Sequence, residues 1–92
     1  MKTPIGYWYS TRETQYPNPV ENSATDEQVL LMLKTFMSLT KDAELVSYRG
    51  VSTCRICGKL NGTREFQTEN NVIPVGLIHY ITEHKVLVPE LL

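Results

Sequence analysis

The feature that most constrains this chain is the placement of its two cysteines and two histidines. Cys54 and Cys57 bracket Arg55-Ile56, and His79 and His84 bracket Tyr80-Ile-Thr-Glu83. No cysteine or histidine remains elsewhere in the 92 residues. Zinc in a closed structural site takes four thiolate and imidazole ligands, and C-x2-C followed by H-x(3 to 5)-H is a usual way for a chain to supply them. The set therefore reads as one tetrahedral zinc site made by Cys54, Cys57, His79 and His84. A buried thiol pair with two unrelated surface histidines would leave that order and spacing unexplained. The 21 residues between Cys57 and His79 exceed the roughly 12 of the common C2H2 finger, so a longer hairpin fits between the two ligand pairs and DNA reading does not carry over.

Local chemistry agrees. A knuckle turns tightly while its thiolates accept backbone N–H bonds, and Gly58 after the second cysteine suits a positive φ there. Pro74 suits the first position of a helix, which would span residues 75–83 and carry His79 inward. Residues i and i+5 of an ideal helix lie about 140° apart. The helix must therefore loosen or stop near His84 for both imidazoles to reach one ion, and Lys85, Val86, Val88 and Pro89 favour a stop.

The segments Cys54-Arg-Ile-Cys-Gly-Lys-Leu-Asn-Gly-Thr-Arg-Glu65 and Pro74-Val-Gly-Leu-Ile-His-Tyr-Ile-Thr-Glu-His84 resemble a pattern, C-R-x-C-G-x-x-N-G-x-x-E then P-x-G-L-x-H-Y-x-x-x-H, of small uncharacterised bacterial and phage proteins. The resemblance covers about the last forty residues well and the amino-terminal half poorly. It implies a treble-clef-like or zinc-finger-like fold and no activity. Ile73 stands where such proteins would carry a large aromatic.

A chain this short forms one domain and buries only about 60 to 65% of its unfolded surface. Structural zinc can contribute about 10 kcal/mol to folding, as much as the net stability of a typical domain. The expected fold class is α+β, a small zinc-stabilised domain in the order β-α-β-zinc knuckle-β-β-α, with residues 1–46 (strand plus amphipathic helix) packing on a zinc-binding ββα-like unit of residues 47–92. Ile5 to Ser10 reads as a strand with Trp8 towards the core and Tyr7 and Tyr9 on the other face. Tyr16-Pro-Asn-Pro19 forms an extended or turn segment. Thr25 and Gln28 make a capping box for a helix from about Asp26 to Leu39, on which Val29, Leu30, Leu33, Phe36 and Met37 recur at helical spacing. Leu31 and Met32 lie off that stripe, which suggests either a widely wrapped helix or one that meets a partner. Glu44 to Tyr48 is a strand leading into the knuckle. Thr63 to Thr68 and Val72-Ile73 form a hairpin whose turn, Glu69-Asn70-Asn71, uses the tolerance of asparagine for left-handed angles.

The formal net charge is −1, so no global field recruits nucleic acid or an anionic membrane. No segment reads as a targeting signal or membrane span. Two cysteines beside two histidines argue for metal in a reducing compartment, and the expected location is cytoplasmic. The single basic cluster is Arg49, Arg55, Lys59 and Arg64, with no acidic residue between the first and last. It can serve phosphates or an acidic protein surface, or offset the charge of the thiolate pair. Catalysis has little to build on. Four ligands close the zinc, so Glu65 or Glu83 acting as a base would need a ligand to open, and an HNH-type nuclease or a serine or cysteine nucleophile needs a histidine beyond the zinc ligands. The expected function is an intracellular zinc-stabilised module that binds a macromolecule, foremost a protein, in the manner of a phage-encoded regulator of a host complex. Candidate partner-binding residues are Tyr7, Tyr9, Leu31 and Met32, with Arg49, Arg55, Lys59 and Arg64 for the alternative of a nucleic-acid-binding finger. A zinc hydrolase is the second alternative, and a small-molecule substrate is not expected.

Overall fold

The computed structural model describes residues 2–8 and 14–92, without the side chains of 48–51. Strand β1 (Thr3–Pro4) is followed by helix α1 (Asp26–Thr40), strands β2 (Glu44–Thr53), β3 (Leu60–Gln67) and β4 (Asn71–Pro74), helix α2 (Leu77–His84) and a 3₁₀ turn at Pro89–Leu91. The strands form one mixed sheet in the order β1-β4-β3-β2. The fold class is α+β. β2 and β3 pair antiparallel from Glu44 opposite Gln67 to Thr53 opposite Leu60, with register breaks after Ser47 and Ser52. β3 pairs antiparallel with β4, and β1 runs parallel to β4.

α1 starts where its capping box places it. The Gln28 N–H donates to Thr25 Oγ1 at 3.1 Å and the Thr25 N–H donates to Gln28 Oε1 at 2.8 Å. Two of the four unpaired donors of the first turn are thereby satisfied. The buried face of α1 keeps Val29, Leu33 and Phe36 of the expected stripe but takes Met32 in place of Leu30 and Met37. Met32 (0% exposed) and Phe36 (5%) are its buried residues, Val29, Leu33 and Leu39 pack beside them, and Leu30 and Met37 are exposed at 62% and 67%. The spacing 29, 32, 33, 36 is the true core stripe, because α1 carries apolar residues around more than one face and its neighbours select the register. Met32 is thus a core residue and not a partner-binding one.

The core draws on both halves of the chain: Ile5, Ala24, Met32 and Phe36 meet Ile73, Leu77, Ile81, Val88 and Leu91. Phe36 packs edge-on to Phe66 of β3, centroids 5.8 Å apart, which seats α1 on the sheet. A smaller cluster of Cys54, Tyr80 and Val86 lies beside it, and Trp8 packs against both.

Three further expectations are corrected. The first strand occupies Thr3–Pro4 and the chain bends at Gly6, so Trp8 reaches the core from a non-strand segment. Pro74 ends β4 opposite Glu65 and does not open the helix, which begins at Leu77 after Gly76. A terminal strand position suits proline as well as the first helical turn does, since neither needs its missing N–H. The β3–β4 turn does not use left-handed asparagines. Among the described residues only Asn22 and Lys85 combine a side chain with a positive φ. The Thr68 hydroxyl closes the turn instead, accepting from the N–H of Asn71 at 2.8 Å and of Asn70 at 3.3 Å.

Candidate metal centre

The knuckle lies between β2 and β3. Gly58 donates its N–H to the Cys54 carbonyl at 2.9 Å, and Cys54 donates to the Lys59 carbonyl at 2.8 Å, which folds residues 54–59 into one turn. Gly58 takes φ +76°, an angle at which a side chain would be strained. The Ile56 N–H points at Cys54 Sγ, 3.4 Å away, and the Lys59 N–H bonds the Cys57 sulfur. Backbone donors aimed at sulfur suit thiolates, which accept and cannot donate.

α2 delivers the imidazoles. Gly76 starts it at a close contact, because a Cβ there would run into the backbone carbonyl of Asn61 in β3. The start of β3 therefore presses directly on the helix entry, and the knuckle that precedes it is brought to His79. At the other end Lys85 turns left-handed (φ 49°, ψ 45°) and donates its N–H to the Tyr80 carbonyl, stopping the helix at His84. His79 and His84 then face one another with ring centroids 5.1 Å apart. Tyr80 ties the two units together: its hydroxyl accepts the Arg55 N–H at 2.7 Å.

One ligand atom from each of Cys54, Cys57, His79 and His84 lies within 4.8 Å of the others. Cys57 Sγ is 3.4 Å from His79 Nε2. A tetrahedron with metal–sulfur bonds of about 2.3 Å and metal–nitrogen bonds of about 2.0 Å has edges of about 3.3 to 3.8 Å. The four atoms are thus positioned to hold a metal ion. The buried His84 Nε2 supports the same fit, since among the described residues it has no hydrogen-bond partner, and a buried ring nitrogen left without one is costly.

Electrostatics favour the ligating form of the sulfur. The Lys59 N–H, followed by His84, brings the exposed Cys57 thiol down from 9.0 to about 6. The His84 imidazole is raised, first by its hydrogen bond to Glu21 and then by Cys57. Glu21 Oε2 lies 2.8 Å from His84 Nδ1. No local pattern marks this contact, because 63 positions separate the two residues.

The other candidates are dispersed. Tyr7 donates its hydroxyl to Glu65 Oε2 at 3.1 Å and stacks on Tyr16, and both rings line a cavity of about 350 Å³ with Trp8, Pro17 and Pro89. Tyr9 and the Arg49 side chain lie outside the described residues. Arg55 directs its guanidinium back to the Thr53 carbonyl at 2.6 Å, while Lys59 and Arg64 are exposed. Leu31 is 48% exposed on α1. Glu83 is exposed, and the carboxylate bonded to the four-residue cluster is Glu21, not Glu65 or Glu83. No helix among the described residues is long and apolar enough to cross a membrane.

Comparison with protein-family models, with curated proteins and with solved structures returns no match.

Proposed function

We propose that the chain is an intracellular zinc-stabilised binding module whose metal has a structural role and whose partner is another protein. Zinc suits the donor set, since two thiolates and two imidazoles match its softness and its tetrahedral preference, and four protein ligands leave no position for a catalytic water. The metal staples the knuckle to α2 beside the small cluster of Cys54, Tyr80 and Val86, which by itself is little core for holding the two together. The resemblance of residues 54–65 and 74–84 to small bacterial and phage zinc-finger-like proteins is in keeping with a compact regulator acting on a host complex.

The observation that carries the binding reading is the outer face of α1. Leu30, Leu31 and Met37 stand 62%, 48% and 67% exposed on a helix that packs on the core through Met32 and Phe36. Large apolar groups on a rigid, well-capped helix are suitable anchors, because docking them costs little ordering and removes apolar area from water. The basic residues are a poorer basis for a function: Arg55 is directed back to Thr53 at the end of β2, and the net charge of −1 does not draw phosphates.

The test is capture from lysate, with and without nuclease, by the native chain and by a Leu30→Ser, Leu31→Ser, Met37→Ser variant. Surface replacements of this kind should leave melting nearly unchanged. A nuclease-resistant protein complex lost in the triple variant is expected. Retention of the complex by that variant, or its loss to nuclease together with a steep salt dependence, would overturn the reading.

A further inference from the structure

His84 is held from two sides. Its Nδ1 meets the Glu21 carboxylate at 2.8 Å, and its Nε2 is buried among the cluster with no well-aligned hydrogen-bond partner among the described residues, the Cys57 sulfur being the group that approaches it. A neutral imidazole has one N–H, and a carboxylate can only accept, so the proton sits on Nδ1 and the lone pair of Nε2 is turned towards Cys54, Cys57 and His79. In the other tautomer the Nδ1 lone pair would oppose the carboxylate and the donor would face the thiolates' metal.

Glu21 is half exposed (49%), and a free surface carboxylate would give this bond up to water readily. It is not free. Asn22 donates its N–H to the His84 carbonyl at 2.8 Å and Ala24 donates to the Lys85 carbonyl at 2.9 Å. The Leu87 N–H donates to Ser23 Oγ at 2.8 Å, and Lys85 Nζ pairs with Asp26 at 2.6 Å. The segment leading into α1 is thereby fastened along the end of α2, one residue after the carboxylate, so little freedom remains to be lost when the bond forms.

We infer that Glu21 is a positioning residue of the metal centre, which fixes the tautomer and orientation of His84 and joins the amino-terminal half of the chain to the metal. This rests on the reading that Cys54, Cys57, His79 and His84 hold zinc. Carboxylates behind ligating histidines act in this way, and their loss costs about 10- to 100-fold in metal affinity.

The experiment measures zinc affinity of the full chain by chelator competition, together with the visible spectrum of the cobalt(II) form and hydrogen exchange at the Asn22 and Ala24 amides. Glu21→Ala should bind zinc about 10- to 100-fold more weakly, with an altered cobalt spectrum and less metal-induced protection of the two amides. Glu21→Gln, nearly isosteric and still able to accept from Nδ1, should show a smaller loss in the same direction and guards against misfolding of the alanine form. Ser23→Ala breaks one bond of the same fastening without touching His84, and should lower melting while weakening zinc binding far less than Glu21→Ala does. Unchanged affinity and cobalt spectrum in both Glu21 variants would overturn the role of Glu21 and leave the metal site standing. A drop in Ser23→Ala as large as in Glu21→Ala would also overturn it. A native chain that binds neither zinc nor cobalt would overturn the metal reading and this inference with it.

Discussion

Leu31 and Met32 are neighbours on α1 with opposite surroundings, and replacing each in turn by alanine tests the packing of the domain. Met32 is completely buried among Phe36, Ile73, Leu77, Ile81, Val88 and Leu91, while Leu31 is 48% exposed. Met32→Ala removes three heavy atoms from a site with no route to solvent and deprives the Val88 N–H of the sulfur it donates to at 3.3 Å. Comparable truncations cost about 2 to 5 kcal/mol, transfer and cavity together. For a chain of this size each kcal/mol lowers Tm by about 4 to 8 °C, so even 2 kcal/mol amounts to about 8 to 16 °C. Leu31→Ala forfeits only partial burial and is offset by the better helix propensity of alanine, so its cost should stay within about 0.5 kcal/mol. The assay is urea unfolding at fixed free zinc, which keeps the metal contribution common to all forms. Equal stability of the two variants, or a larger loss in Leu31→Ala, would refute the packing register of α1.

Two other outcomes follow from the site. Tyr80→Phe removes the acceptor of the Arg55 N–H at 2.7 Å inside the knuckle and should cost about 1 to 3 kcal/mol in the zinc-loaded protein; a neutral result by urea unfolding would mean that Tyr80 does not link α2 to the knuckle. The pH dependence follows from Cys57, whose folded thiol is lowered from 9.0 to about 6. Stability from its ionised form is complete above the unfolded value and is lost progressively as pH falls from there to about 6; the raised His84 acts on metal binding in the same direction, because its protonated ring cannot ligate. Zinc affinity and melting followed together should therefore decline as pH falls from about 9 to about 6, whereas affinity and Tm that stay constant across that window would contradict that ordering.

What the sequence discloses and what it hides divide along physical lines. Signals confined to a few neighbouring residues are legible: the Thr25–Gln28 box starts α1 at Asp26, and Gly58 takes its positive φ. The four candidate ligands are brought together because their order and spacing already encode a turn and a helix. The buried face of α1 is less legible, since Leu30, Leu31, Met32, Leu33, Phe36 and Met37 satisfy helical spacing in more than one register and only the packed core of Ile73, Leu77 and Ile81 chooses. Pro74 is compatible with a strand end and a helix start alike, and the pairing with Glu65 decides. Glu21 is invisible for a different reason. Its meeting with His84 depends on residues 22–26 lying along the end of α2, a tertiary contact with no periodic trace.

Whether Cys54, Cys57, His79 and His84 share one zinc ion decides both the fold's stability and the role of Glu21. Native mass spectrometry of the purified full chain, before and after chelation and beside Cys57→Ser and His84→Gln, addresses this most directly. One zinc per chain is predicted for the native sequence, with loss of the ion on chelation and in both variants, and with loss of the folded charge-state distribution wherever the metal is lost. A native chain that carries no zinc after reconstitution, or variants that retain it with full affinity, would contradict a zinc site at these four residues.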